Sequence, residues 1–351
     1  MQNNVDFSDV FNVTNDELRS IISKAVEVDN FKSFEIVEKN DLEGYKGYCG
    51  EKLVINVRYE LLDGSTGEVR IFVKKLHWDT IQESIHFKTC ERLNLPTPKL
   101  YGCVKTPDGQ EVLFMECLKN TCVDKNNRGE FLKWLQLMAQ INASDVPVLY
   151  LENAWKDNSL DDIKGLQLVL EKIWRYGLNG EIGESIGRIC SEHSLDSLMR
   201  FVQTVVQRCE CYPKSLIHGE PASQNYGYGD DKIKLMFFDL HKFRVSYRFS
   251  DICSELLMLK DSPNTCISFE EAASFYIEEY YKKSRIKLEL SEFIEELEWV
   301  ESDFILRKLF WFIDRSIDGK VDWTDDIIEG QKANREWLYD DLNRLISRML
   351  K

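Results

Sequence analysis

The chain has 351 residues, 43% of them hydrophobic and 12% aromatic, and a formal net charge of −15. That excludes a disordered chain and is ample for one large domain or two lobes. An acidic surface repels phosphate backbones, so nucleic acid is not an expected partner; the charge favours cationic partners or substrates, and equally serves solubility alone.

The opening residues, MQNNVDFSDV, carry neither a basic segment nor an apolar core, so no signal peptide is expected. No apolar run approaches the ~18 residues that suggest a membrane span. The ten cysteines include one close pair, Cys209 and Cys211, and no zinc spacing. Reduced thiols in a cytoplasmic protein are the expectation.

Residues 12–30 are predicted helical, with Thr14 and Asn15 as cap candidates. Three β-branched, partly alternating runs follow: KSFEIVEKN, KLVINVRYELL and EVRIFVKKL. DGSTG between the last two is a hairpin signal. ESIHFKTCERLNL has helical spacing and stops at PTPKLYG, and EVLFMECL is one more strand. From residue 128 onward apolar residues recur at three- and four-residue spacing, interrupted only by the strand-like SLIHGE and IKLMFFDL. Further amphipathic helices run to the C-terminus, ending with DDIIEGQKANREWLYDDLNRLISRML. Two lobes of unlike class, joined near residues 117–128, are expected.

The chemistry concentrates in LIHGEPASQNYGYG and the FFDLHK that follows. Glu220 precedes Asn225 by five positions, and Asp239 closes an apolar strand. Phosphoryl transfer needs a carboxylate to orient or deprotonate the attacking hydroxyl. It also needs hard oxygen ligands for magnesium, which a carboxamide and a second carboxylate supply.

This pattern, His218-Gly219-Glu220-x4-Asn225 followed by FFDLHK, resembles the aminoglycoside phosphotransferase and choline-kinase-like family, the small-molecule branch of the protein-kinase fold. The resemblance spans roughly residues 35–345. It implies an α+β, bilobal protein-kinase-like fold. Residues 1–118 would be a small, mainly-β, nucleotide-binding N-lobe with one αC-like helix. Residues 119–351 would be a large α-helical C-lobe with catalytic loop and acceptor site. The usual loop reads HGDxxxxN; here Glu220 stands where the family has Asp. WLQLMAQINA resembles a family helix in which His is common at the position of Asn142, and Asp251 would brace the catalytic loop.

Carried over residue by residue, the resemblance implies that Glu220, Asn225 and Asp239 are catalytic, with Asn225 and Asp239 as the magnesium ligands. Lys74 would grip the nucleotide phosphates; Lys75 alternates to the other face. The partner of Lys74 would be Glu83, with Glu91 as the other helix glutamate. Gly44, Gly47 and Gly50 would form the loop over the phosphates. Met115 would back the adenine pocket, with the Glu116 carbonyl and the Leu118 N–H reading the adenine edge. The implied cofactors are ATP (or GTP) and Mg2+. The implied acceptor is a small-molecule hydroxyl on an aminoglycoside, amino-sugar, choline-like or other natural product, held by aromatic and acidic residues around 255–315.

Glu220 sets the alternative. One extra methylene displaces a carboxylate by up to ~1.5 Å, and a misplacement of about 1 Å can cost on the order of 100-fold in rate. A pseudokinase, or a kinase-like scaffold or peptide-modifying subunit, is therefore a second expectation. DLHKF stands where protein kinases carry DFG, which argues against a peptide acceptor. His218 is expected to hold its loop through backbone bonds. His77, His86, His193 and His241 look isolated and are assigned no chemistry.

Overall fold

The computed structural model describes residues 11, 13–29, 31–41, 50–77, 82–152, 163–178, 191, 193–229, 233–261 and 265–317. Gly44 and Gly47 of the glycine-rich loop and the helix expected over 325–350 lie outside the described residues. The chain divides into two compact units, Met1–Gln140 with His218–Phe243, and Ile141–Ile217 with Arg244–Lys351.

The first unit is built on an antiparallel sheet of order β1-β2-β3-β5-β4. Its strands are β1 (Phe31–Asp41), β2 (Gly50–Leu61), β3 (Thr66–Leu76), β4 (Leu100–Lys105) and β5 (Glu111–Glu116). The DGSTG turn does what its residues suggest. Gly64 takes a positive φ of 86°, and the Ser65 N–H and hydroxyl both donate to Asp63 Oδ1. That turn sets the register of the β2–β3 ladder, with Glu60 opposite Thr66 and Lys52 opposite Lys74.

Helix α1 (Asn15–Val26) starts with a capping box, in which Thr14 and Glu17 exchange bonds between side chain and backbone. Its Leu18, Ile21 and Ile22 share a buried core with Leu53, Ile55 and Val57 of β2, Ile71 and Val73 of β3, and Val112 and Phe114 of β5. These strand residues are two apart, so one face of the sheet carries the core. Lys74, next in line after Val73, must therefore lie on the opposite face. Strand β4 was not foreseen. Its sequence, LYGCVK, follows two prolines and carries a glycine, which masks the strand pattern. Gly102 is needed there because a Cβ would come within 2.7 Å of Ile21.

The same unit holds α2 (Glu83–Arg92), most of α3 (Arg128–Asn142), and a small sheet of β6 (Asn120–Thr121), β8 (Tyr226–Tyr228) and β9 (Leu235–Phe237). The site segment is thus pinned by short ladders. Tyr226 pairs with Phe237, and the Phe238 N–H donates to the Asn225 carbonyl at 3.0 Å.

The second unit is mostly helical: α4 (Val148–Glu152), α5 (Ile163–Leu178), α6 (Leu195–Glu210), α7 (Cys253–Asp261), α8 (Phe269–Ser284) and α9 (Leu290–Ile317). A short antiparallel pair, β7 (Lys214–Ile217) and β10 (Arg244–Tyr247), completes it. The Asn142 amide donates to the Leu216 carbonyl at 2.9 Å and accepts from the Tyr276 hydroxyl at 2.7 Å. It therefore knots a helix end to β7 and α8.

Arg248 forms a bidentate pair with Glu296, at 2.8 and 2.6 Å. Its guanidinium also lies 4.7 Å from the Phe249 ring centroid, and that ring packs edge-on against Tyr276, Tyr280 and Phe293. Burial pushes the Glu296 carboxyl up, and Arg248 offsets only part of that. Removing one partner would strand a buried charge. Glu296→Ala is expected to cost about 3–5 kcal/mol, read as a lower denaturant midpoint at unchanged slope.

Candidate functional site

Lys74 carries the first charge of the site. It is 2% exposed. Burial opposes its charge, but Glu83 and Asp239 outweigh that and raise the ammonium above the ordinary lysine range. Its Nζ lies 2.7 Å from Glu83 Oε2 and 2.5 Å from Asp239 Oδ1. Lys75, one residue on, is part-exposed and faces Glu51 at 3.5 Å. Glu83 is fully buried and opens α2, whereas Glu91 is exposed. The other Glu83 oxygen accepts the Leu240 N–H at 2.7 Å. One carboxylate therefore fixes both the lysine and the turn after Asp239.

Asp239 sits in the left-handed region, at φ 62° and ψ 59°. Asp is among the few side chains that tolerate this at modest cost. The twist turns its carboxylate toward a ring of donors. Oδ1 takes Lys74 and, at 2.9 Å, His241 Nδ1; Lys52 Nζ lies 3.8 Å from Oδ2. Burial alone would raise this carboxyl, but Lys74, His241 and Lys52 hold it well below the usual carboxylate range.

The loop after β7 is held by His218, which is fully buried. Its Nδ1 accepts the Glu220 N–H at 3.2 Å, which leaves Nε2–H to donate to the Phe238 carbonyl at 2.8 Å. Gly219, at φ +82°, fits where no side chain would, since a Cβ would lie 2.4 Å from the Lys242 carbonyl. Asn225 is 5% exposed. Its amide nitrogen donates to the Glu220 carbonyl at 2.9 Å, which orients the amide oxygen away from that bond. The Glu220 carboxylate is about one-third exposed. Its Oε2 lies 3.3 Å from His241 Nε2 and 3.7 Å from Lys242 Nζ.

The structure thus brings Lys74, Glu83 and Asp239 into direct contact. Through His241 it links Asp239 to Glu220, and through backbone and amide bonds it links Glu220 to Asn225. His241 corrects the sequence reading, in which it was isolated. It lies between two carboxylates because the 3-10 turn Leu240–Lys242 folds position 241 back over position 239. His86 is buried, and burial with nearby His241 holds it down at about 4, so this imidazole is neutral. Lys52 was also missed. The hairpin register that puts it opposite Lys74 was the available signal.

Glu116 ends β5; its N–H donates to the Lys99 carbonyl at 2.9 Å, and its Oε2 accepts the Lys99 N–H at 3.2 Å. Leu118 lies just beyond the strand and is half-buried. Asp251, 3% exposed, stands at the head of α7 in the helical unit. Among the described residues no cluster of three or more His, Cys, Asp or Glu side chains could hold a metal by itself, and no helix is long and apolar enough to cross a membrane.

Two measurements test this geometry. Gly219→Ala is expected to lose at least about 1–2 kcal/mol from the positive φ alone, with the clash on Lys242 added, in urea melts. For Asp239, the depressed folded-state value means its contribution is present above the ordinary 3.8 and is lost as pH falls below that through the folded value. Asp239→Asn should therefore melt below the parent at pH 7, and the gap should close only in strong acid.

No protein-family profile matches the chain, and no curated protein matches it by sequence. Solved structures do match by shape. An ethanolamine kinase from Plasmodium vivax aligns over 92% of this chain and 84% of its own, at TM-score 0.50 and 16% identity. A choline kinase from Cryptosporidium parvum aligns over 89% and 90%, at TM-score 0.51 and 11% identity. A spectinomycin phosphotransferase, solved with ADP and spectinomycin, aligns over 95% and 98%, at TM-score 0.50 and 10% identity. The chain has the bilobal, protein-kinase-like fold found in these proteins, with a five-stranded antiparallel N-lobe sheet and a helical C-lobe.

Proposed function

We propose that the chain is an ATP- and magnesium-dependent phosphotransferase that acts on a hydroxyl of a small molecule. The observation that carries this is the buried Lys74, clamped by Glu83 and in contact with Asp239. A lone buried lysine is costly, and a triad of this kind suits the handling of phosphate charge.

Magnesium fits the donors present. Asp239 is kept ionised, and Asn225 offers a carboxamide oxygen; both are hard ligands. Magnesium is commonly bound through one or two protein oxygens, with water and phosphate oxygens as its remaining ligands. When bound, the ion supplies charge neutralisation for the phosphates.

The chain's residues divide the remaining work. Lys74, with Lys52 beside it, holds phosphate oxygens. Glu220 accepts the hydrogen of the acceptor hydroxyl and orients its oxygen for attack. Gly44 and Gly47 cover the phosphates, and the backbone of Glu116 and Leu118 reads the base, adenine or guanine. The net charge of −15 favours a cationic acceptor. Ethanolamine and choline, named for two structural neighbours, are of that kind. A cytoplasmic setting agrees with the described cysteines, which are free thiols.

The scaffold reading is favoured by one observation, glutamate at position 220. ATP turnover across a panel of aminoglycosides, amino-alcohols and amino-sugars separates the two. At least one acceptor is expected to stimulate phosphate transfer, and Glu220→Gln and Asp239→Ala should each lower it by about 100-fold or more. An inert panel, or unchanged rates in these variants, would overturn the assignment.

A further inference from the structure

Glu220 differs from the expected aspartate by one methylene, and the structure shows what that methylene reaches. The His241 ring is 8% exposed and sits between Glu220 Oε2, 3.3 Å from Nε2, and Asp239 Oδ1, 2.9 Å from Nδ1. The ring is carried on a rigid support. Its 3-10 turn is anchored by the Leu240 N–H on Glu83, and the Lys242 carbonyl closes over Gly219. Lys242 also approaches Oε2, at 3.7 Å. Both cationic or donor groups thus address the same carboxylate oxygen, which leaves Oε1 for a hydroxyl.

A glutamate about one-third exposed has rotamer freedom that a catalytic acid must give up. An aspartate at 220 would draw back by up to ~1.5 Å and lose the imidazole. The longer acid and the histidine are therefore matched to one another.

We propose that His241 is a positioning residue that tethers Glu220 through Nε2, so that the longer acid stands where the acceptor hydroxyl is oriented; this rests on the phosphotransferase reading above. With an N–H on each nitrogen, as an imidazolium, the ring also donates to Asp239, so it ties the nucleophile-orienting carboxylate to the magnesium-binding one.

Amide replacements separate the two nitrogens. Gln places a donor near Nε2, and Asn places one near Nδ1. His241→Ala is expected to lower kcat by about 100-fold, with KM for ATP within about twofold. His241→Gln should recover most of that loss and His241→Asn little. Recovery by Asn equal to or better than Gln would place the effect on Asp239 and overturn the proposal. A readout free of activity accompanies this. In long-range proton–nitrogen spectra of the full chain, which has 5 histidines, Glu220→Gln should shift the His241 Nε2 resonance and leave Nδ1 in place. An unmoved Nε2 overturns the contact itself. A wild type inert toward every acceptor, with the shift intact, overturns the phosphotransferase reading and the catalytic half of this proposal.

Discussion

The site depends on one buried cation. Lys74 has left water at a cost of several kcal/mol, and only the two carboxylates in contact with it make that tolerable. The constraint propagates. Glu83 must open α2 at the right height to meet the lysine, and its second oxygen then fixes the Leu240 backbone. That bond sets the turn in which Asp239 adopts its left-handed conformation and His241 swings between Asp239 and Glu220. Removing the charge would not leave a neutral core; it would leave Glu83 without the ammonium that pairs with it, beside an Asp239 still held by Lys52 and His241.

Strand parity explains why the lysine is available at all. Alternation in β3 hands Ile71 and Val73 to the core under α1 and leaves Lys74 on the opposite face. Gly219 and His218 perform the equivalent service for the loop. One permits the close approach of the Lys242 backbone, and the other spends both ring nitrogens on backbone groups. The acid at 220 is then the part of the loop with conformational freedom, and His241 and Lys242 are what restrains it.

Much of this was legible in the residues. The hairpin at Gly64 and the helix cap at Thr14 each follow from local chemistry that needs no tertiary context. What escaped was set by tertiary geometry. Strand β4 is short, follows two prolines and owes its register to β5, with Gly102 serving Ile21 rather than a turn. His241 looked isolated because its partners are a short-range turn contact and a residue 21 positions upstream, and only the fold juxtaposes them. Lys52 was hidden in an ordinary strand run, although the hairpin register already placed it across from Lys74.

The central claim is that this charge cluster is a nucleotide-phosphate site. Titration calorimetry with ATP and magnesium on the wild type and on Lys74→Met, both checked for matching circular dichroism, addresses it most directly. The account predicts binding by the wild type and at least about tenfold weaker binding, some 1.4 kcal/mol, once the ammonium is gone. A wild type that takes up no heat with Mg-ATP, or a Lys74→Met protein that binds it equally well, would contradict it.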